Sequence, residues 1–381
     1  MSDSASVQFE LIEQPEDFLG AIARLQGFKR LAVDFEGEWN LHRYGLHLCL
    51  IQVCDGTHTF LIDPLTVGDL RPLLDIMEDP DVQIISHGPQ SDIVLLNYLY
   101  GSTPKNIFDT EKAAQLLNYE NTSLSQLLEK HFGFSKDMKV RVSDWNKRPL
   151  TDEMLSYAAK DVAYLHRLQD ILTGELEEKG RLHWQIEECK GLEDIRFREK
   201  ENPHMEIQHA NKLSEREAYI LKHIYEFRDR IAQELDKPAY YIIPNSRLLD
   251  LSQNPPRNAS EWCALKGVNP RLKKYAQELT DAVKKASSEP IPKPEASEAR
   301  NYDGMSRNAF FRLVDQRTQL LGAIRDQIKE EYDIYPMILS MRNLKKVAYG
   351  EATIDDFKDW QKQILLEKAT QMELDLSILR A

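Results

Sequence analysis

Asp34 and Glu36 stand two apart in Leu31-Ala-Val-Asp-Phe-Glu-Gly-Glu38, where an apolar run gives way to acids. On a strand from Leu31 to Glu36, successive side chains leave on opposite faces, so Asp34 and Glu36 share one. Two carboxylates on one face of a buried strand repel each other and lose hydration unless a cation lies between them. A divalent ion such as Mg²⁺ or Mn²⁺ meets that need with oxygen ligands. The pair alone is a weak signal, because acids are common at strand ends. Two further sites add to it. Asp92 begins an apolar helix just after the buried run Val82–Ser86, with His87 between them. Tyr157 and Asp161 are four apart in Tyr-Ala-Ala-Lys-Asp and so share one helix face. Each has an ordinary alternative: a helix cap for Asp92, a solvated acid for Asp161, a core aromatic for Tyr157.

An α/β domain has to position these groups. The pattern predicts a strand over Val7–Ile12, a helix from Pro15, and the strand bearing Asp34 and Glu36. Leu46–Val53 and Thr57–Ile62 read as a hairpin turned at Asp55-Gly56. Helix Leu70–Met77, strand Val82–Ser86, helix Ile93–Tyr100, strand Ile107-Phe108 and helices Thr110–Leu117 and Leu124–Phe132 follow. Residues 135–149 read as a polar loop, and Thr151–Leu172 as one long helix capped by Thr151. An antiparallel hairpin followed by strands separated by helices gives a mixed sheet. The chain has neither a G-x-G-x-x-G nor a P-loop.

From about residue 191 strands give way to helices. Ser214–Leu235 is predicted as a long helix opened by the capping box Ser214-Glu-Arg-Glu217. The extended link Pro238–Pro244 and helices over Ser246–Leu251, Ala259–Leu265 and Pro270–Lys285 come next. A Pro-rich stretch at 287–297 marks a boundary. Beyond it, helices over Ser306–Tyr332, Arg342–Ala348 and Thr353–Met372, with Pro336 between the first two, repeat the same order. The organisation is therefore 1–190, a connector 191–210, a helical module 211–287, a linker 288–301 and a second module 302–381.

At 381 residues the chain exceeds one comfortable core. No apolar run approaches the roughly 20 residues of a membrane span. The first residues lack a basic-then-apolar signal pattern, so a cytoplasmic protein is expected. Cys49, Cys54, Cys189 and Cys263 form no CxxC and read as reduced thiols, Cys49 and Cys54 lying in an apolar run. The net charge is −13, carried by residues 1–190, where 31 acids face 18 Lys and Arg; the rest is balanced at 31 of each. That is no basic footprint for nucleic acid, although bound cations would mask part of the acidity.

Asp34-Phe-Glu36, His87 with Asp92, and Tyr157 with Asp161 together resemble the three exonuclease motifs of the DEDD superfamily, tyrosine subclass, in the family's order. Leu50-Ile-Gln52, Ile62-Asp-Pro64, Phe108-Asp-Thr110 and Ser143-Asp-Trp-Asn-Lys-Arg-Pro-Leu150 resemble the ribonuclease D family within it. Phe227-Arg-Asp-Arg-Ile-Ala232, Pro238–Pro244 and Lys266-Gly-Val-Asn269 are similar to an HRDC domain; Arg317, Pro336 and Met341-Arg-Asn-Leu344 resemble a second, divergent one.

The resemblance implies a ribonuclease H-like exonuclease domain with a mixed sheet, followed by two all-α HRDC-type domains. It implies a monomeric 3′–5′ exoribonuclease trimming the 3′ ends of structured RNA, tRNA precursors among them, to nucleoside 5′-monophosphates. Two Mg²⁺ or Mn²⁺ ions are expected, one on Asp34, Glu36 and Asp161, the other on Asp34 and Asp92. Tyr157 would orient the attacking water, since a phenol of pKa about 10 is a poor bulk base. Gln52, His87, Lys139, Arg141, Trp145 and Arg148 are candidate substrate contacts. For Gln52 a buried amide, for His87 a structural hydrogen bond and for Trp145 core packing are the alternatives. Glu38 reads as a solvated or supporting acid. The family's basic positions before Ser143 are imperfectly matched: Met138 and Val142 fall where bases are expected, beside Lys136, Lys139 and Arg141. Nothing in the acids reads a 2′-hydroxyl, so a DNA exonuclease and a non-catalytic RNA-binding scaffold are the competing readings. The full set of five residues speaks against the scaffold.

Overall fold

Strand β2, Arg30–Trp39, is the axis of the sheet. It pairs antiparallel with β3, Leu46–Cys54, and parallel with β5, Gln83–Ser86. With β1, Phe9–Ile12, β4, Thr59–Ile62, and β6, Ile107–Asp109, the order is β1-β4-β3-β2-β5-β6. The β3–β4 pair is antiparallel, and β1–β4 and β5–β6 are parallel. The sheet is therefore mixed, as the hairpin pattern predicts. This computed structural model describes residues 7–133, 139–292, 305–332 and 340–373.

Alternation along β2 divides its side chains between two cores. Leu31 and Val33 point into an apolar cluster with Phe35 packed against it. That cluster joins α1, Pro15–Leu25, α2, Arg71–Glu78, and α3, Gln90–Tyr100. Ala32 points the other way, toward α4, Thr110–Leu116, α5, Leu124–Phe132, and α7, Leu165–Glu178. Before α7 comes α6, Asp152–Ala163, which packs on β2, β3 and β4. The predicted single helix Thr151–Leu172 is in fact α6 and α7, interrupted at Tyr164, whose φ of −108° and ψ of −3° leave the helical run. The interruption lets α7 pack on β2, β5 and α4, away from α6's partners β3 and β4. Helix α8, Leu182–Lys190, completes this part.

The first helical module comprises α9, Glu215–Glu234, α10, Ala239–Ile242, α11, Asn245–Gln253, α12, Ala259–Ala264, and α13, Ala276–Ser288. The Ser214–Glu217 capping box is present. Pro238–Pro244, expected to be extended, holds the short helix α10 between its two prolines. The C-terminal helices are α14, Arg307–Tyr332, α15, Met341–Ala348, and α16, Asp359–Gln371. Pro336, and the linker from 293 on, lie outside the described residues.

The C-terminal helices do not keep a core of their own. Phe310, Val314, Leu321, Ile324, Ile328 and Trp360 belong to the same buried cluster as Phe108, Leu116, Leu168 and Trp184 of the α/β domain. Trp184 and Trp360 stack with centroids 4.7 Å apart and planes at 21°. Trp360 Nε1 donates to Glu188 Oε1 at 3.2 Å, and Lys112 and Lys358 bring positive charge to that carboxylate. The first module keeps its own core, with Tyr44 of the α/β domain packed against it. Among the described residues no helix is long and apolar enough to cross a membrane.

Candidate active site

Asp34, Glu36, Asp92, Tyr157 and Asp161 line one cleft of about 560 Å³. Each arrives by a separate local rule. Asp34 and Glu36 stand opposite Gln52 and Leu50 of β3, so they leave the sheet on the face that α6 covers, and a bulge follows at Glu36/Gly37. Gly37 suits the bulge because a Cβ there would lie 2.9 Å from a Leu95 methyl. Asp92 sits in the first turn of α3, directly after the carboxyl end of β5. Tyr157 and Asp161 share a face of α6, whose other residues Leu155, Ala158 and Ala159 are buried with Leu50.

The electrostatics are those of crowded acids. Burial, and then the charge of Asp34, push the Asp92 carboxyl well above the usual range. Burial, and then the carboxylates of Glu36 and Asp34, raise the Tyr157 phenol, with Arg141 acting in the opposite direction. The phenol therefore keeps its proton, so that its O–H is a donor. Arg141 is exposed and is the single Lys or Arg among the described residues lining the cleft. Four carboxylates cannot all stay ionised beside one guanidinium. Hard carboxylate oxygens lining one cleft, one of them disfavoured as an anion, are the donor type that a divalent cation takes.

The other expected contacts are distributed differently. His87 lines the cleft, with Nδ1 3.0 Å from Thr110 Oγ1. Lys139 is exposed and is not among the described lining residues; Lys136 and Met138 lie outside the described residues. Gln52 is fully buried, and neither atom of its amide has a partner among the described residues. Trp145 is only 3% exposed and packs behind Tyr157, with centroids 6.2 Å apart, so it offers no face to a base. Arg148 is engaged by Asp63, to which Nη2 donates at 2.8 Å, and by the carbonyls of Cys49 and Trp145. These three residues build the wall behind the cleft, which explains their nearness to the motifs in sequence. Glu38 is buried, not solvated: its carboxylate accepts the backbone N–H groups of Leu41 and His42 and lies 3.1 Å from His42 Nδ1.

Sequence reasoning missed Trp39, Leu41, Glu111 and Ser123–Ser125, which also line the cleft. Trp39 and Leu41 were findable as large apolar residues placed just past the acids. Glu111 and Ser123–Ser125 carried no signal, because only the core that α4 and α5 share brings them there.

Residues 9–177 match the family model described as 3′–5′ exonuclease, and 217–283 match that of the HRDC domain. The ribonuclease D of Bartonella henselae is 28% identical over 371 residues, covering 95% of this chain and 89% of that protein. That of Gluconacetobacter diazotrophicus is 26% identical, with coverage of 95% and 92%. The crystal structure of Escherichia coli RNase D superposes with a TM-score of 0.72 at 23% identity, covering 96% of this chain and 99% of that one. Sheet, acid cleft and helical module thus define a 3′–5′ exonuclease carrying an HRDC domain. Within that class the chain is similar to ribonucleases D over nearly its whole length.

Proposed function

We propose that the protein is a 3′–5′ exoribonuclease that trims the 3′ ends of structured RNA, tRNA precursors among them, and releases nucleoside 5′-monophosphates. The observation that carries this reading is the meeting of Asp34, Glu36, Asp92, Asp161 and Tyr157 on one cleft. The E. coli relative of the same architecture is described as an exoribonuclease involved in structured RNA processing. Two divalent ions, Mg²⁺ or Mn²⁺, would supply charge neutralisation, a water acidic enough to attack near neutral pH, and a grip on the scissile phosphate. Asp34, Glu36 and Asp161 would hold one ion, and Asp34 with Asp92 the other. Tyr157, kept protonated by burial and the nearby carboxylates, would donate a hydrogen bond that orients the water. Arg141, exposed and lining the cleft, would meet a phosphate. We read residues 302–381 as a second, divergent HRDC-like module, supported by its long helix followed by a short and a longer one.

The test is a 3′-labelled single-stranded RNA incubated with Mg²⁺ or Mn²⁺, alongside a matched DNA and the variant Asp34→Ala. Metal-dependent release of monophosphates from RNA, absent in the variant, is the expected result. Faster release from DNA would change the substrate class, and binding without release would favour a scaffold.

A further inference from the structure

Four large side chains stand open to solvent where the first helical module meets the cleft. Trp39 is 41% and Leu41 44% exposed, and both line the cleft. Tyr240 is 43% and Tyr241 55% exposed, at the start of α10. Tyr240 and Tyr241 hold their rings together, centroids 4.9 Å apart. The Tyr240 hydroxyl donates to the Leu41 carbonyl at 2.8 Å, which ties the ring pair to the cleft wall. Beside it Arg43 is bound by Asp236, and the Tyr44 hydroxyl donates to Asp229 at 2.6 Å, so the loop carrying Leu41 is fastened to the module at three points.

We propose that Tyr240 and Tyr241 are a base-stacking platform that guides a single-stranded RNA 3′ end across Trp39 and Leu41 into the cleft, an inference that rests on the exonuclease reading. The occupant is argued from continuity: the exposed rings are joined by a hydrogen bond to residues of the cleft itself. Charge favours stacking over phosphate attraction as the source of grip. Residues 1–190, which hold the cleft, carry 31 acids against 18 Lys and Arg, and Arg43, on the loop that carries Leu41, is already paired. Counterion release is weak on such a surface, whereas every base has a face that an aromatic ring can stack on. Glu38, whose charge acts on Tyr240, would repel a backbone laid against the platform and leave the bases to make the contact.

The experiment measures binding of a fluorescently labelled RNA of about 12 nucleotides to the full chain, and separately hydrolysis of a dinucleotide too short to reach the module. Tyr241→Ala should raise Kd about 10-fold for the longer RNA, by a similar factor at about 50 and 300 mM salt. Dinucleotide hydrolysis should change less than about 2-fold, and Tyr241→Phe should bind like the parent, because the ring remains. Unchanged binding by Tyr241→Ala overturns the platform whatever hydrolysis shows. So does an equal loss on both substrates, which would mark a distorted cleft. If the parent hydrolyses neither substrate while Tyr241→Ala still weakens binding, the platform stands and the exonuclease reading fails.

Discussion

Asp34 on β2 stands directly across from Gln52 on β3, so both side chains leave the sheet on the same side. Gln52 is fully buried with neither amide atom hydrogen-bonded to a described residue. A buried polar group without a partner costs about 1–3 kcal/mol. Gln52→Leu should therefore raise the urea midpoint of metal-free protein. It also removes the polar edge beside Asp34, so the Mg²⁺ concentration for half-maximal rate should rise about 10-fold. A more stable variant with an unchanged Mg²⁺ requirement would confine Gln52 to packing.

Asp92 is held above its usual pKa by burial and by Asp34. Without a cation that crowding opposes folding. Asp92→Asn should raise the Tm of EDTA-treated protein by about 2–4 °C, while lowering the rate at least about 100-fold. Mg²⁺ should raise the Tm of the parent and have little effect on the variant. Differential scanning fluorimetry with and without Mg²⁺ checks all three; a lower Tm for the metal-free variant would remove the crowding account.

Burial pushes Asp109 up to about 6 from 3.8, against the N–H groups of Gly88 and Glu111 that favour its charged form. The folded protein thus binds this proton more tightly than the unfolded chain does. The resulting stabilisation is complete below about pH 3.8 and is lost as pH rises through 6, on the order of 3 kcal/mol. The stability difference between the parent and Asp109→Asn should shift in the parent's favour between pH 6 and 4 and stay flat above 7. Amide exchange over 107–116 at several pH values reads it, and a difference constant across that range would be the contrary result.

Trp184 and Trp360 stack across the boundary between the α/β domain and the C-terminal helices. Trp360→Ala should cost about 3–5 kcal/mol and should loosen amides of α4 and α7 as well as its own helix. The double variant with Trp184→Ala should fall short of additivity by about 1 kcal/mol. Strict additivity would mean the two rings do not support each other.

The elements around the acids were legible because their signals are local. Alternation placed Asp34 and Glu36 on one face, and a four-residue spacing did the same for Tyr157 and Asp161. The break at Tyr164 was not legible: the apolar period runs on through it, and only the differing partners of α6 and α7 require it. Trp145 and Arg148 sit among motif residues, and proximity in sequence suggested substrate contact. Their orientation is set by β3 and by Asp63, more than eighty residues earlier in the chain. Residue identity leaves Glu38 open between a solvated and a supporting acid, because the groups it binds are backbone N–H groups of the next turn. The joining of the C-terminal helices to the α/β core was likewise hidden, since an amphipathic helix does not declare which surface it will cover.

That shared interior bears on how the chain can change over generations. Glu188 meets Lys112 from one side and Lys358 and Trp360 from another, so a mutation there is tolerated only with matching changes in two distant stretches. The tail is thus poorly suited to recombination or loss, since a lineage that discarded it would expose Trp184 and its neighbours and invite clumping. The first helical module, with its own core and a polar fastening at Arg43, Tyr44 and Leu41, is the part that shuffling could exchange.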